Sequence, residues 1–375
     1  MSWVGQLRGL LLSREGGGTL LMAVATAVAL GVVPTILEQW TQRHWVFLAV
    51  FAVSIALVLA GWVLRRPRGL GVVVCLFPAG RTQGSRVAVL KVASRSAHSG
   101  TLVIDRGALW PDEPSGQDSP GMVDLVARLV DAQVEELRHT SQAEAAVVLY
   151  PLAQLQDGFL LGRRLADDAQ LSLAVMHLSQ RSGRSVVPGV TLDSGLREDL
   201  PPQQRARVQA HLRVPASGSP DLVEVPSRAG QQRHRIAVIV RLASADSMVD
   251  DARHIAVTGQ VTYPAGHHTG YLLETEQAGP FGAYVVIDTG NAYLPETPEL
   301  FAAVTTYIWQ SWRNARQEWA QHLGDDFPVE GALFFHGPLP IAIALGWLTA
   351  RDRLDLVHHD TRLSQPAPTP PAAGR

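Results

Sequence analysis

The sequence predicts an α/β protein in which an N-terminal hairpin of two transmembrane helices precedes two fused Rossmann-like units. Three observations support this fold class. Two apolar runs of membrane-spanning length lie within residues 1–68. Beyond them, apolar strand-like runs alternate with amphipathic helical patterns, which is typical of a mainly parallel sheet covered by helices. Segments of the first unit also recur about 183 residues later, taking Asp105 and Asp288 as equivalent, which indicates a duplication.

The N-terminal hairpin consists of the apolar runs 19–37 and 45–64, neither of which contains a charged side chain. Each run is about as long as a helix needs to cross roughly 30 Å of hydrocarbon at about 1.5 Å per residue. Arginines before the first run and after the second predict that both chain ends face the cytoplasm: Arg8, Arg14, Arg65, Arg66 and Arg68. The hairpin is either a plain anchor or an element that perturbs the bilayer when several copies associate.

Charge and cysteine content restrict the function classes. The net charge of −2 argues against a broadly basic surface, so no DNA or RNA polymer is expected as a partner. The single cysteine, Cys75, excludes an internal disulfide, fits a reducing compartment and is expected in the core.

Strands and helices alternate in the first unit. Apolar runs predict strands at residues 72–77, 86–92, 101–105, 145–150 and 171–178. Helical patterns cover residues 121–140 and a second stretch that ends near Ala166. This order predicts a parallel sheet with helices on both faces.

The duplication rests on three blocks of similar sequence. TLVIDRG (101–107) recurs as YVVIDTG (284–290), and LSLAV from Leu171 recurs as LDLVH from Leu354. YPL with its helix and Gly162 recurs as GPL with a helix and Gly346. The predicted organisation is a transmembrane region 1–68, a first unit 69–178, a connection 179–233, a second unit 234–360 with an insertion at about 246–280, and a disordered tail 361–375.

Loops at the carboxyl ends of the strands are the candidate ligand contacts, because paired Rossmann-like units form a cleft there. The loop after the first strand supplies Arg81, Thr82, Gln83, Ser85 and Arg86. It lacks the lysine and spacing of a P-loop, so nucleotide hydrolysis is not supported. Its arginines and glycine amides could hold phosphate oxygens, or the loop is a glycine-rich hairpin with solvated arginines. The equivalent loop of the second unit offers Ser244, Asp246 and Ser247 to a base or ribose.

Two further loops join a strand to a helix in equivalent places. They contain Tyr150, Pro151 and Leu152 in the first unit, and His336, Gly337, Pro338 and Leu339 in the second. The helix N-terminus would present free amides to an anion, while Tyr150 or His336 would stack on a base. The alternative is that the proline merely begins the helix.

Metal and catalytic chemistry find little support. Adjacent histidines, His267-His268 and His358-His359, would point to opposite faces of a strand, and no cysteine or glutamate set accompanies them. We therefore expect no metal and no cofactor. No serine elbow, carboxylate pair or nuclease-like motif can be assembled, so we expect no enzymatic activity.

Two segments carry a family resemblance. GALFFHGPLPIAIALGWLTARDRLDLVHHD (331–360) resembles the end of SAVED domains, with a strand, a proline-containing turn, an apolar helix closing on Gly346 and a last strand. HRIAVIVRLASADSMVD (234–250) is similar to the start of the second half of such domains. SAVED domains are fused pairs of CARF-like units, in agreement with the duplication.

The resemblance implies an effector of bacterial CBASS anti-phage immunity. It would bind a cyclic oligonucleotide made by a CD-NTase, form homo-oligomers and disrupt the lipid bilayer of the inner membrane through its hairpins. Two alternatives remain open. One is a CARF-type transmembrane sensor of cyclic oligoadenylate in a type III CRISPR system, and the other is a membrane scaffold with no nucleotide ligand.

Overall fold

The computed structural model describes most of the chain beyond residue 68. The described residues are 52–56, 69–77, 84–109, 119–140, 147–166, 172–179, 181, 185–213, 215, 219–227, 231–245, 247–273, 279–290, 292–324, 328–360 and 363. The chain divides into two compact units, Met1–Arg68 and Gly69–Arg375.

The described part of the smaller unit is residues 52–56, which are helical. The predicted span 19–37 and the rest of the span 45–64 lie outside the described residues. Among the residues that are described, no helix combines the length and the hydropathy needed to cross a membrane.

The first half of the larger unit is built around a parallel sheet. Its elements are β1 (Leu70–Cys75), α1 (Gly84–Ala97), β2 (Gly100–Asp105), α2 (Arg106–Leu109), α3 (Ser119–Thr140), β3 (Val147–Leu152), α4 (Leu155–Leu165) and β4 (Leu173–Leu178). The strands follow the order β2-β1-β3-β4, with all neighbours parallel. Val72, Val73 and Val74 in the central strand are completely buried, as expected for a strand covered on both faces.

Residues 86–92, which we predicted as a strand, are helical and belong to α1. Val87, Leu90 and Ser94 form its buried side at helical spacing, whereas Val92 is exposed. A short apolar run with alternating valines fits both periods, so periodicity alone could not distinguish them. The topology distinguishes a helix from a strand here, because the parallel neighbours β1 and β2 need a crossover connection, which is usually a helix.

Residues 179–233, predicted as a connection, contain further strands. The segment includes β5 (Val186–Leu192), a 3-10 turn (Ser194–Arg197), α5 (Pro202–His211) and β6 (Val223–Glu224). β5 pairs antiparallel with β4 and extends the first sheet to five strands.

The second half repeats the architecture of the first. Its elements are β7 (Gln232–Arg241), α6 (Met248–Thr258), β8 (Tyr271–Leu272), β9 (Phe281–Asp288), α7 (Pro298–Leu323), β10 (Glu330–His336), α8 (Leu339–Leu348), β11 (Leu354–Leu356) and β12 (His358–His359). β6 pairs antiparallel with β9, and β8 pairs with β12 in a small separate sheet. Because α6 occupies the place of α1, the insertion relative to the first half is confined to 259–280, shorter than predicted.

The strand order demonstrates the duplication. β9-β7-β10-β11 in the second sheet matches β2-β1-β3-β4 in the first, and both sets are parallel. The α/β class is therefore confirmed, and the two halves share one strand order. The registers also define equivalent positions: Cys75 pairs with Asp105 and Leu152, as Arg241 pairs with Asp288 and His336.

Candidate functional site

The helices α4 and α8, which follow the equivalent strands β3 and β10, pack against each other through glycines. A Cβ added to Gly162 would lie 1.9 Å from the carbonyl oxygen of Ile343. A Cβ added to Gly346 would lie 2.0 Å from the carbonyl oxygen of Phe159. Both pairs are equivalent under the duplication, so the contact is reciprocal, as across a local twofold axis. This helix pair fixes how the two halves meet.

The beginnings of these two helices lie together. The first residue of α8, Leu339, packs its side chain over Gly158 in the first turn of α4, where an added Cβ would approach to 2.4 Å. Both helices begin at the carboxyl end of a parallel strand. Two positive helix ends are therefore adjacent at the edge where parallel α/β sheets bind ligands.

Polar contacts between the halves occur at the same edge. His177, near the end of β4, lies with its Nε2 atom 3.4 Å from Oε1 of Glu296, which follows β9. The Arg181 guanidinium stacks on the ring of Tyr293 at 4.4 Å from its centroid. The carboxyl ends of the two sheets thus face one another across a composite edge, the arrangement that the duplication predicted.

In the second half, Arg241 and Asp288 form a buried ion pair at this edge. Nε and Nη2 of Arg241 each donate to a carboxylate oxygen of Asp288 at 2.8 Å, and Nη1 donates to the Ala245 carbonyl at 3.0 Å. Asp288 Oδ1 also accepts the Gly290 amide at 2.7 Å. Burial alone would raise the pKa of Asp288, but these hydrogen bonds and the Arg241 charge bring the pKa below its usual value. Sequence reasoning missed this pair, which holds the loop containing Ser244.

His336, a predicted ligand contact, lies beside this pair at the end of β10 and is partly buried. Burial lowers the pKa of His336, and the nearby imidazole of His359 and guanidinium of Arg241 lower it further. A hydrogen bond with the backbone at Ser244 partly opposes the shift. The imidazole is therefore neutral at neutral pH and can both donate and accept a hydrogen bond.

The other predicted residues of the second half lie on the two loops that follow β7 and β10. Ser244 and Ser247 are exposed on the loop between β7 and α6, and Asp246 lies outside the described residues. Gly337, Pro338 and Leu339 connect β10 to α8 and are half-buried. Prolines on both sides of Leu339 carry no N–H, so this helix offers an anion its dipole and the Leu339 amide rather than a row of amides.

In the first half, Tyr150 lies in the core. It is 2% exposed inside β3, and its hydroxyl is hydrogen-bonded to Nε2 of His98 at 2.8 Å. Pro151 and Leu152 are also buried strand residues. Because β3 continues to Leu152, the residue that precedes α4 is the partly exposed Gln154, which the sequence pattern did not single out.

The remaining predicted residues of the first half follow β1. Ser85 and Arg86 lie in the first turn of α1, with Ser85 exposed and Arg86 partly exposed. Arg81, Thr82 and Gln83 lie outside the described residues. Cys75 is buried as predicted, and burial, with the neighbouring Asp105, raises the pKa of its thiol.

The histidines of the insertion take part in local packing. The Tyr263 ring of the insertion stacks with His254 of α6 at 4.1 Å between centroids and with His267 at 6.1 Å. His268 accepts the Gly270 amide at its Nδ1 atom. Within the described part of the chain, no group of three or more histidine, cysteine, aspartate or glutamate side chains is placed to hold a metal ion.

Comparisons with known proteins give structural neighbours. No protein-family model matches this chain, and no curated protein matches it significantly. Two solved structures similar to it are of the Cap4 SAVED/CARF-domain-containing receptor of Acinetobacter baumannii, one with the cyclic trinucleotide 3'3'3'-cAAA and one with 2'3'3'-cAAA. Their TM-scores are 0.38 and 0.36, with 11% and 10% identity. Each match covers 83% of this chain. It covers 52% and 51% of the two receptor chains, so this chain spans about half of their length.

Proposed function

We propose that this protein is a membrane-anchored sensor that binds a cyclic oligonucleotide at the composite edge between its two halves. The observation that carries the proposal is the reciprocal packing of α4 and α8, which brings two helix N-termini and the carboxyl ends of two sheets together. A ring of nucleotides has repeated phosphates, so a site with repeated elements is suited to it. The SAVED-like sequence of residues 234–250 and 331–360 supports the same ligand class.

The proposed contacts divide the ligand by chemistry. Arg86, at the start of α1, and the adjacent N-termini of α4 and α8 would attract phosphates. Ser244, Ser247 and the neutral imidazole of His336 would hydrogen-bond a base or ribose. The protein would act by binding alone, without catalysis.

The response would come from the N-terminal hairpin. We propose that the protein is a multi-pass protein of a bacterial inner membrane with both termini in the cytoplasm. Ligand binding would assemble copies of the chain, and the clustered spans 19–37 and 45–64 would breach the bilayer and abort phage infection.

The first experiment measures binding and assembly of the full chain in detergent with cyclic di-, tri- and tetranucleotides. The cyclic triadenylates found in the two neighbouring structures are among the first probes. We expect at least one ligand to bind and to shift the protein to larger assemblies. If none binds and the assembly state never changes, a membrane scaffold without a nucleotide ligand is the better description.

A matched pair of substitutions on one helix tests the location of the site. Arg86 lies in the first turn of α1, which follows the carboxyl end of β1, and Arg95 lies in its last turn, at the opposite end of the helix. Arg86→Glu should weaken ligand affinity about tenfold or more, because it replaces attraction to a phosphate by repulsion. Arg95→Glu should leave the affinity unchanged. Equal effects of the two substitutions would remove α1 from the site.

A second experiment tests the membrane response with the full chain reconstituted in dye-loaded vesicles. The ligand should release dye from vesicles that contain the wild-type chain. Val28→Arg places a charge near the middle of the first span, where arginine disfavours insertion by about 3 kcal/mol. This variant should still bind ligand but release little dye. Release that is independent of ligand would contradict the proposed coupling.

The choice of ligand separates the two immune settings. A response to messengers of CD-NTase type, of mixed base or linkage, favours CBASS. A response confined to cyclic oligoadenylates would leave the type III CRISPR alternative, which a neighbouring gene for a CD-NTase or for a CRISPR polymerase subunit would decide.

A further inference from the structure

A cavity lies on the far side of the second half from the composite edge. It has a volume of about 770 Å³ and lies between α5, the outer face of α7 and the residues that precede β10 and β11. Val329 and Arg353, which line it, precede the amino ends of these strands. Because the composite edge lies at the carboxyl ends of the strands, this cavity and the composite edge are at opposite ends of the second sheet.

Arginines dominate the lining of this cavity. They come from three separate elements: Arg205 from α5, Arg313 and Arg316 from α7, and Arg351 and Arg353 from the loop before β11. Bringing five guanidinium groups together costs electrostatic energy unless anions offset their repulsion.

Carboxylates of the protein neutralise part of this charge. Nη1 of Arg316 lies 2.9 Å from Oδ1 of Asp352, and Nη1 of Arg353 lies 3.2 Å from Oε1 of Glu330. Asp199 also lines the cavity, where the Gln310 amide donates to it at 3.3 Å.

The other three arginines leave an excess of positive charge. Within the described residues, no carboxylate lies within 4 Å of the guanidinium of Arg205, Arg313 or Arg351. Asp199 can offset one of them at most. The cavity therefore carries an excess of positive charge that an anion would neutralise.

The remaining lining has features of a small-molecule site. Asn314 and Gln317 lie with Arg313 on one face of α7, where their amides can donate and accept hydrogen bonds. The Arg313 guanidinium lies over the ring of Trp309 at 4.8 Å from its centroid, which restricts its orientation. The volume is in the range of about 300–1,000 Å³ that small-molecule sites occupy.

We propose that this cavity binds a phosphate-bearing small molecule of nucleotide size, held by Arg205, Arg313 and Arg351. The phosphates would neutralise these arginines, and Asn314 and Gln317 would contact the rest of the molecule. The site is separate from the one proposed for the cyclic oligonucleotide and does not depend on it.

The test is isothermal titration of the full chain with inorganic triphosphate and with ATP, at low and at moderate salt. We expect saturable binding with one site per chain that weakens as salt rises. Arg313→Gln and Arg351→Gln should each weaken it about tenfold, because each removes a charge-assisted hydrogen bond. Arg253→Gln, at an exposed arginine on α6 outside the cavity, should leave binding unchanged.

Several outcomes would overturn the proposal. The first is that neither probe binds. The second is that the wild type and the two cavity variants bind the probes with equal affinity. If the two variants lose self-association but no anion binding, the surface is a contact between copies of the chain. Arg313 and Arg351 are exposed, so both variants should keep the wild-type melting temperature. Both should also keep the affinity for any cyclic oligonucleotide, which Arg86→Glu weakens. Failure of the composite site and failure of this cavity are therefore distinguishable.

Discussion

Gly162 on α4 and Gly346 on α8 each lie against the backbone of the other helix. The atoms that an added Cβ would meet are the carbonyl oxygens of Ile343 and Phe159, at 1.9 and 2.0 Å. These carbonyls belong to helices and cannot rotate away as a flexible side chain could. The two glycines therefore set the separation of α4 and α8, and with it the width of the composite edge.

Substituting either glycine should destabilise the protein. Gly162→Ala or Gly346→Ala should lower the free energy of unfolding by about 3 kcal/mol, because the methyl group forces the helices apart. Urea denaturation of the full chain measures this change. Gly121→Ala on α3 is the control, since an added Cβ there meets no atom within 4 Å. It should raise stability by about 0.5–1 kcal/mol, and equal behaviour of all three variants would contradict the packing described.

Breaking the Arg241–Asp288 pair should be far more costly than breaking a surface pair. Asp288→Asn removes the negative charge that accepts two hydrogen bonds from the buried Arg241 guanidinium, which should lower the free energy of unfolding by about 3 kcal/mol. Asp250→Asn is the control, because the Asp250–Arg253 contact of 4.0 Å is solvent-exposed. It should change stability by less than about 1 kcal/mol. Similar midpoints for the two variants in denaturant would contradict the buried pair.

The same pair predicts how stability depends on acid. The pKa of Asp288 is lower in the folded chain than the value of about 3.9 for an unfolded aspartate. The contribution of ionised Asp288 to folding stability is therefore complete above about pH 4. It is lost as the pH falls through the pKa that Asp288 has in the folded chain. The difference in stability between wild type and Asp288→Asn should be constant from pH 7 to about pH 5 and shrink below pH 4. A difference that shrinks near pH 6 instead would point to a histidine.

The sequence predicted the architecture better than the site. The repeat was visible because buried parallel strands need apolar runs, and YVVIDTG kept the features of TLVIDRG at the equivalent position. By contrast, the run 86–92 satisfied both strand and helix periods. β5 and β6 were missed because edge strands have one neighbour, and their sequences include Pro188 and the exposed Val223.

The site residues were harder to predict because they depend on where each strand ends. Pro151 suggested a turn, yet β3 continues through it to Leu152, so Tyr150 is buried and Gln154 reaches the edge instead. Arg241 and Asp288 are far apart in sequence, and strand register alone brings them together. The arginine-lined cavity combines three elements that no local motif connects.

Partly buried His336 predicts a second dependence of stability on pH, which comes from burial rather than from an ion pair. Burial lowers the pKa of His336 below the value of about 6.5 for an unfolded histidine. As the pH falls through 6.5 the unfolded chain takes up a proton that the folded imidazole does not, so stability falls. His336→Asn should reduce the loss of stability between pH 7.5 and pH 5.5, measured by urea denaturation. The variant should still lose some stability between pH 7.5 and pH 5.5, because burial also lowers the pKa of His177.

Tyr150→Phe distinguishes a core role from a role in ligand binding. The hydroxyl of Tyr150 is hydrogen-bonded to His98 inside the first half, so its removal should lower the free energy of unfolding by about 1 kcal/mol. The affinity for a cyclic oligonucleotide should remain within about twofold of wild type, because the ring does not reach the composite edge. Gln154→Ala should do the reverse, leaving stability nearly unchanged and weakening binding, since Gln154 is partly exposed where α4 begins. If Tyr150→Phe loses ligand binding while its stability is unchanged, Tyr150 belongs to the ligand site, which would contradict its burial in the core.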